Sequence, residues 1–135
     1  MNNKSRKLFA EISVGELYDK LSILEIKLKK ITKKNSHKEV KKEYLILKNI
    51  EANLSKNKKN NKIIKLFKIL KKINLSLWTI EDKIRICEKN KDFSKVFIKL
   101  ARNVYLNNDQ RAQTKSKINQ LYGSNIREIK QYDKY

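Results

Sequence analysis

A chain of 135 residues, 39% of them hydrophobic, is long enough to bury the core of one domain. No proline and two glycines, Gly15 and Gly123, leave too few turn residues for a sheet protein and favour long helices joined by polar loops. Lys and Arg outnumber Asp and Glu by 34 to 14, a formal charge of +20, so the surface attracts polyanions at low salt. Lys, Asn and Ile are abundant together while Arg, Gly and Pro are scarce, which looks like the codon bias of an AT-rich genome. No apolar run reaches the roughly 18 residues that a membrane crossing needs. Leu8-Phe9-Ala10 is too short for a signal-peptide core. The one cysteine, Cys87, has no partner for an internal disulfide and falls on an apolar seam, where a buried thiol is expected. By elimination, a cytoplasmic protein is expected.

Ser13-Val14-Gly15-Glu16 reads as a capping box, with Ile12 and Leu17 as a hydrophobic staple. Val14, Leu17, Leu21, Leu24, Leu28 and Ile31 then recur at alternating spacings of three and four, which predicts a helix from about 14 to 34. Glu16 with Lys20 and Glu25 with Lys29 are expected surface pairs. Ser36-His37-Lys38-Glu39 is a second capping box, opening a helix to about residue 55, antiparallel to the first. Residues 56–62 read as a solvated loop. The third stripe, Ile63, Leu66, Leu70, Ile73, Leu77, Ile80, Ile84 and Cys87, keeps heptad spacing and predicts a long helix over 62–90 with coiled-coil character. Asp92 is a candidate cap for a fourth helix. Asn107-Asn108-Asp109 marks a break or kink, and a fifth helix runs to Leu121, with Gly123 at its C′ position.

The predicted fold is therefore all-α: an antiparallel bundle of four to five helices with a long central helical hairpin. One helical domain spans 1–123, and a tail over 124–135, without clear period, folds back or stays loose. Charge divides the domain. Between Lys27 and Lys72 there are 17 Lys against Glu39, Glu43 and Glu51, a basic lobe. Residues 12–26 and 73–123 form a lobe closer to balance.

Standard chemistry is missing. No two glycines lie close enough for a phosphate loop, and His37 is alone in a lysine-rich turn while Cys87 falls on an apolar seam, so the usual zinc, di-iron and Ser/Cys–His signatures are missing. No cofactor and no metal is implied, and a non-enzymatic role is favoured. The informative cluster is polar. Glu81, Asp82 and Arg85 lie on a strip beside the third seam, and Arg102, Tyr105, Asn108, Asp109 and Arg111 follow. Three of the five Arg fall here, in a chain that otherwise uses Lys, and the guanidinium fork recognises carboxylates and phosphates in a way that Lys does not. Two readings stay open. Arg85, Arg102 and Arg111 pair with Glu81, Asp82, Glu88 and Asp109 to lock helix register, or the arginines and Lys20 form a cleft for an anionic small molecule or a protein partner. The lysine-rich lobe is either a solvated face or a surface for nucleic acid or anionic membrane, although Arg and exposed aromatics are scarce there.

The stretches 12–27, 77–85 and 100–112, continued by 115–119 and 122–124, resemble the signature blocks of the bacterial and phage family named domain of unknown function 6165. That family has no established activity. The resemblance implies a weak link to surface-polysaccharide and sugar-transfer functions, hence a metal-free enzyme or accessory acting on a phosphorylated or carboxylated sugar-like substrate. The matching residues are largely polar: Glu16, Asp19, Lys20, Glu25, Glu81, Asp82, Arg85, Arg102, Asn108, Asp109 and Arg111.

Overall fold

The computed structural model describes residues 5–55 and 60–135 and holds four helices: α1 Val14–Lys30, α2 Lys34–Ser55, α3 Asn61–Lys89 and α4 Lys95–Tyr122. There is no strand among the described residues. Ser13 starts α1: its backbone is extended and its hydroxyl accepts from the Glu16 N–H at 3.1 Å. The helix ends at Lys30, short of residue 34, because Ile31 turns extended (φ −83°, ψ 124°) at the head of two β-branched residues. That early stop moves the next start. Lys33 O already accepts from His37 N–H at 2.8 Å, so α2 begins at Lys34 and Ser36 sits inside its first turn instead of capping it. The His37 ring has its own use: Nε2 donates to Leu28 O at 3.0 Å, satisfying a carbonyl orphaned at the end of α1.

Of the expected 56–62 loop, residues 56–59 lie outside the described residues. Asn60 caps α3, its side chain accepting from Lys62 N–H at 2.6 Å. After α3 the chain reverses through Lys91 in the left-handed region (φ 53°), and Asp92 accepts from Ser94 N–H at 3.0 Å as part of that turn. The fourth helix therefore starts at Lys95, and the expected break at Asn107-Asn108-Asp109 does not occur. Asn107 donates from its side chain to Asn103 O at 2.7 Å, inside a continuous helix. Packing of α4 against α3 overrides the weak helix propensity of three polar residues. The predicted fourth and fifth helices are one. Gly123 ends it in the left-handed conformation (φ 61°, ψ 46°), with Ser124 N–H returning to Asn119 O at 2.9 Å.

α1 packs against all three other helices, and α3 and α4 pack along each other as the central hairpin. The main core joins Leu17, Tyr18 and Leu21 of α1 to Ile63 and Leu70 of α3 and Ile118 of α4. Tyr18 meets Phe67 edge-on at 6.0 Å, and its hydroxyl lies 3.2 Å from that of Tyr122. Cys87 is buried farther along the α3 seam, as expected. With 17 residues, α1 is about 25 Å long, whereas the 29 residues of α3 reach about 43 Å, so the far half of the hairpin overhangs α1. No helix is long and apolar enough to cross a membrane among the described residues.

One close approach sets the angle of α1. Gly15 N–H donates to Asn119 Oδ1 at 2.6 Å, and a Cβ at Gly15 would stand 2.5 Å from Lys115 O. Because that neighbour is backbone, it cannot swing aside. Gly15→Ala should cost about 2 kcal/mol despite alanine's better helix propensity, lowering Tm by roughly 5–10 °C. Leu75→Ala, at a position 42% exposed, should shift stability by less than about 0.5 kcal/mol in the same calorimetric scan.

Candidate functional site

The strongest polar constellation lies under α1. Asp19 is fully buried, and three helices converge on its carboxylate. From α4, Arg111 donates through Nε at 3.0 Å to Oδ1 and through a terminal nitrogen at 2.6 Å to Oδ2. From α3, Asn74 donates to Asp19 Oδ1 and to Ser22 Oγ, both at 2.8 Å. Lys115, one turn beyond Arg111, stands 3.4 Å from Asp19 Oδ2 and donates to Glu16 at 2.7 Å and to Glu128 of the tail at 3.1 Å. Burial pushes the Asp19 carboxyl up, but hydrogen bonds from Arg111 and Asn74, with the charges of Arg111 and Lys115, outweigh it and hold the group below its ordinary value. Burial likewise opposes the charge on Lys115, and Glu16, Asp19 and Glu128 together keep its affinity for the proton raised.

Each charged group here already answers another. No buried side-chain nitrogen or oxygen lacks a partner among the described residues. Such a knot fixes helix register, and its cations are engaged with carboxylates of the chain itself.

The residues singled out by sequence are divided among several places. Arg111 joins Asp19 in the knot. Tyr105, Asn108 and Asp109 come together in a cleft of about 650 Å³ that the tail walls in with Lys130, Tyr132 and Tyr135. The Tyr135 hydroxyl donates to Asp109, and its ring meets Tyr105 edge-on at 5.4 Å. Arg85 pairs with Glu81 at 2.6 Å on open surface, one turn apart within α3, while Glu88 pairs with Lys91. Lys20, Asp82 and Arg102 are exposed and form no ion pair among the described residues. Glu16 and Glu25 reach across the fold to Lys115 and Lys71 instead of pairing along α1 with Lys20 and Lys29. The tail folds back: Ser124 Oγ accepts from Val14 N–H at 3.1 Å, and Glu11 accepts from Asn125 at 2.7 Å.

The place of Asp19 was within reach of sequence reasoning. Gly15, Asp19, Ser22 and Ile26 recur at four-three-four spacing, a second strip beside the apolar seam, and all four are buried. Counting only large apolar residues narrows the buried arc of α1 and passes over its small and polar members, Gly15, Asp19 and Ser22.

A second feature carries charge without partners. Two depressions, of about 620 and 400 Å³, open on the α3–α4 hairpin, lined among the described residues by α3, α4 and their connecting turn. Their α3 positions, from Ile69, Lys72, Ile73 and Ser76 on to Thr79, Ile80, Lys83, Ile86 and Cys87, continue one three-and-four spacing, so the depressions lie end to end as one furrow. On α3 this strip lies on the side away from Phe67, Lys71 and Asn74, which reach α1. Lys72, Lys83, Lys99 and Lys117 rim the furrow, with Asp92 the one carboxylate in its lining among the described residues. None of the four lysines forms an ion pair among the described residues. Uncharged hydrogen-bonding side chains, Ser76, Thr79, Asn103, Asn107 and Gln110 among them, fill the intervals.

The profile of the family of unknown function DUF6165 matches residues 8–135. The chain belongs to that family. No curated protein and no solved structure gives a significant match. The DUF6165 profile takes in the knot, the furrow and the tail alike.

The knot predicts a pH dependence. Asp19 has its folded value below the ordinary value of about 3.9. Its contribution to stability is therefore complete above that pH and is lost as the pH falls through the folded value. Asp19→Asn should reduce the acid slope of stability below about pH 4 and lower stability at neutral pH by about 3 kcal/mol. Urea midpoints across the acid range measure both. An unchanged slope in the variant would contradict the assignment.

Proposed function

We propose that this DUF6165 protein is a non-enzymatic binding or adaptor protein whose anion-accepting polar cleft is the lysine-rimmed furrow between α3 and α4. The observation that carries this reading is the set of four furrow lysines without carboxylate partners among the described residues, in a fold where the cations under α1 are already paired. The reading keeps the cleft on the hairpin that bears Arg85 and Arg102 but assigns it to other residues. A metal-free enzyme acting on an anionic sugar-like substrate would need preorganised cations free to meet developing charge. Arg111 and Lys115 are engaged with Asp19, Glu16 and Glu128, which favours binding over catalysis.

Poly-L-glutamate is a suitable probe, because a ligand that binds the native state raises Tm. Near physiological salt it should stabilise the wild-type protein. The double substitution Lys83→Glu with Lys99→Glu should remove that rise, while Lys41→Glu with Lys42→Glu, an equal charge change on the exposed face of α2, should leave it in place. Equal loss in both variants would mean that net charge alone attracts the polyanion.

A further inference from the structure

The furrow runs from Ile69 to Asn90 on α3 and from Val96 to Lys117 on α4, about 32 Å along each helix. A channel between two antiparallel helices is the shape that a third helix fills, ridge into groove. Its floor is apolar: Ile73, Ile80 and Cys87 are 7%, 8% and 7% exposed. Ile69, Ile86 and Val96 stand above that floor with about half of their surface in water, at 49%, 57% and 59% exposure. An occupant that is merely anionic leaves those three wet. One with an apolar stripe covers them. The charges are shared between the rims, Lys72 and Lys83 on α3 and Lys99 and Lys117 on α4, so that acidic groups on both flanks of an occupant meet a lysine.

Other occupants fit less well. A second copy laid furrow to furrow sets lysine rims against each other, a like-charge contact that opposes association. Single-stranded nucleic acid needs aromatic platforms for its bases, and no aromatic side chain lines either depression among the described residues. Resting on the furrow reading above, we infer that the furrow is the docking groove for an amphipathic helix of a partner protein, with an aliphatic stripe along one face and Asp or Glu on both flanks.

The test uses the full chain and two synthetic peptides of about 20 residues, the length that spans the furrow. One places leucine at helical three-and-four spacing with glutamate on its flanks; the other scrambles the same composition. Fluorescence anisotropy near physiological salt should give the amphipathic peptide at least about ten-fold tighter binding than the scramble. Lys83→Glu with Lys99→Glu, and separately Ile86→Asp, should each weaken it by about ten-fold or more. Lys41→Glu with Lys42→Glu should change it less than about two-fold. Circular dichroism of each variant checks the helix content. If both peptides bind equally and the furrow variants weaken both, the furrow accepts anions without seating a helix, and this inference falls while the functional reading stands. If the α2 variant weakens binding as much as the furrow variants, both fall. Tighter binding of a single-stranded oligonucleotide than of the amphipathic peptide, lost in the furrow variant, would assign the groove to nucleic acid and overturn the inference.

Discussion

A carboxylate withdrawn from water between three helices is the constraint on which this fold rests. An unpaired charge at Asp19 would be among the most costly features a small bundle can carry, so its position is tolerable only while Arg111, Asn74 and Lys115 stay where they are. The requirement acts in both directions. Asp19 holds α4 in register through a two-pronged guanidinium contact, and α4 holds α1 at the close distance that Gly15 makes possible. Apolar burial at Leu21, Leu70 and Ile118 supplies the larger part of the driving force, but grease alone does not fix which turn of α1 faces which turn of α4. The polar knot does.

Tying α1 to one side of the hairpin has consequences elsewhere. A short α1 covers only the near half of a long α3, and the knot draws it to the face that carries Phe67, Lys71 and Asn74. The opposite face is left to α3 and α4 alone, and there the lysines stand without carboxylate partners. The cations of the knot and those of the furrow thus differ in environment. Those held by the knot are spent on structure, and those on the furrow rims retain their attraction for an outside anion. The proposed role follows from that difference more than from the overall charge, which a compositional bias toward lysine inflates.

Much of this was legible in the sequence where periodicity and caps reinforce each other. Ser13, the heptad stripe from Ile63 to Cys87, and Gly123 set helix ends to within about one residue, because each rests on local chemistry. Local signals misled where a long-range contact decided the matter. Asn107, Asn108 and Asp109 look like a break, yet they continue a helix because α3 runs beside them. Ser36 looks like a cap but follows a start fixed by where α1 stopped. The polar cluster was read from arginines and carboxylates close in sequence, whereas Arg111 found its partner 92 positions away, on a strip that a hydrophobic count passes over. The tail gave no periodic signal because it is tied by single side chains, Ser124, Glu128 and Tyr135, to α1 and α4.

The central claim is that Asp19 and Arg111 act as one unit, and a double-mutant cycle tests it most directly. Asp19→Asn, Arg111→Gln and the pair together, compared by urea unfolding at neutral pH, should reveal a coupling energy of about 2 kcal/mol or more, the double variant being less destabilised than the sum of the singles. Additive losses, within about 0.5 kcal/mol, would show that the two side chains contribute independently and that register is held by something else.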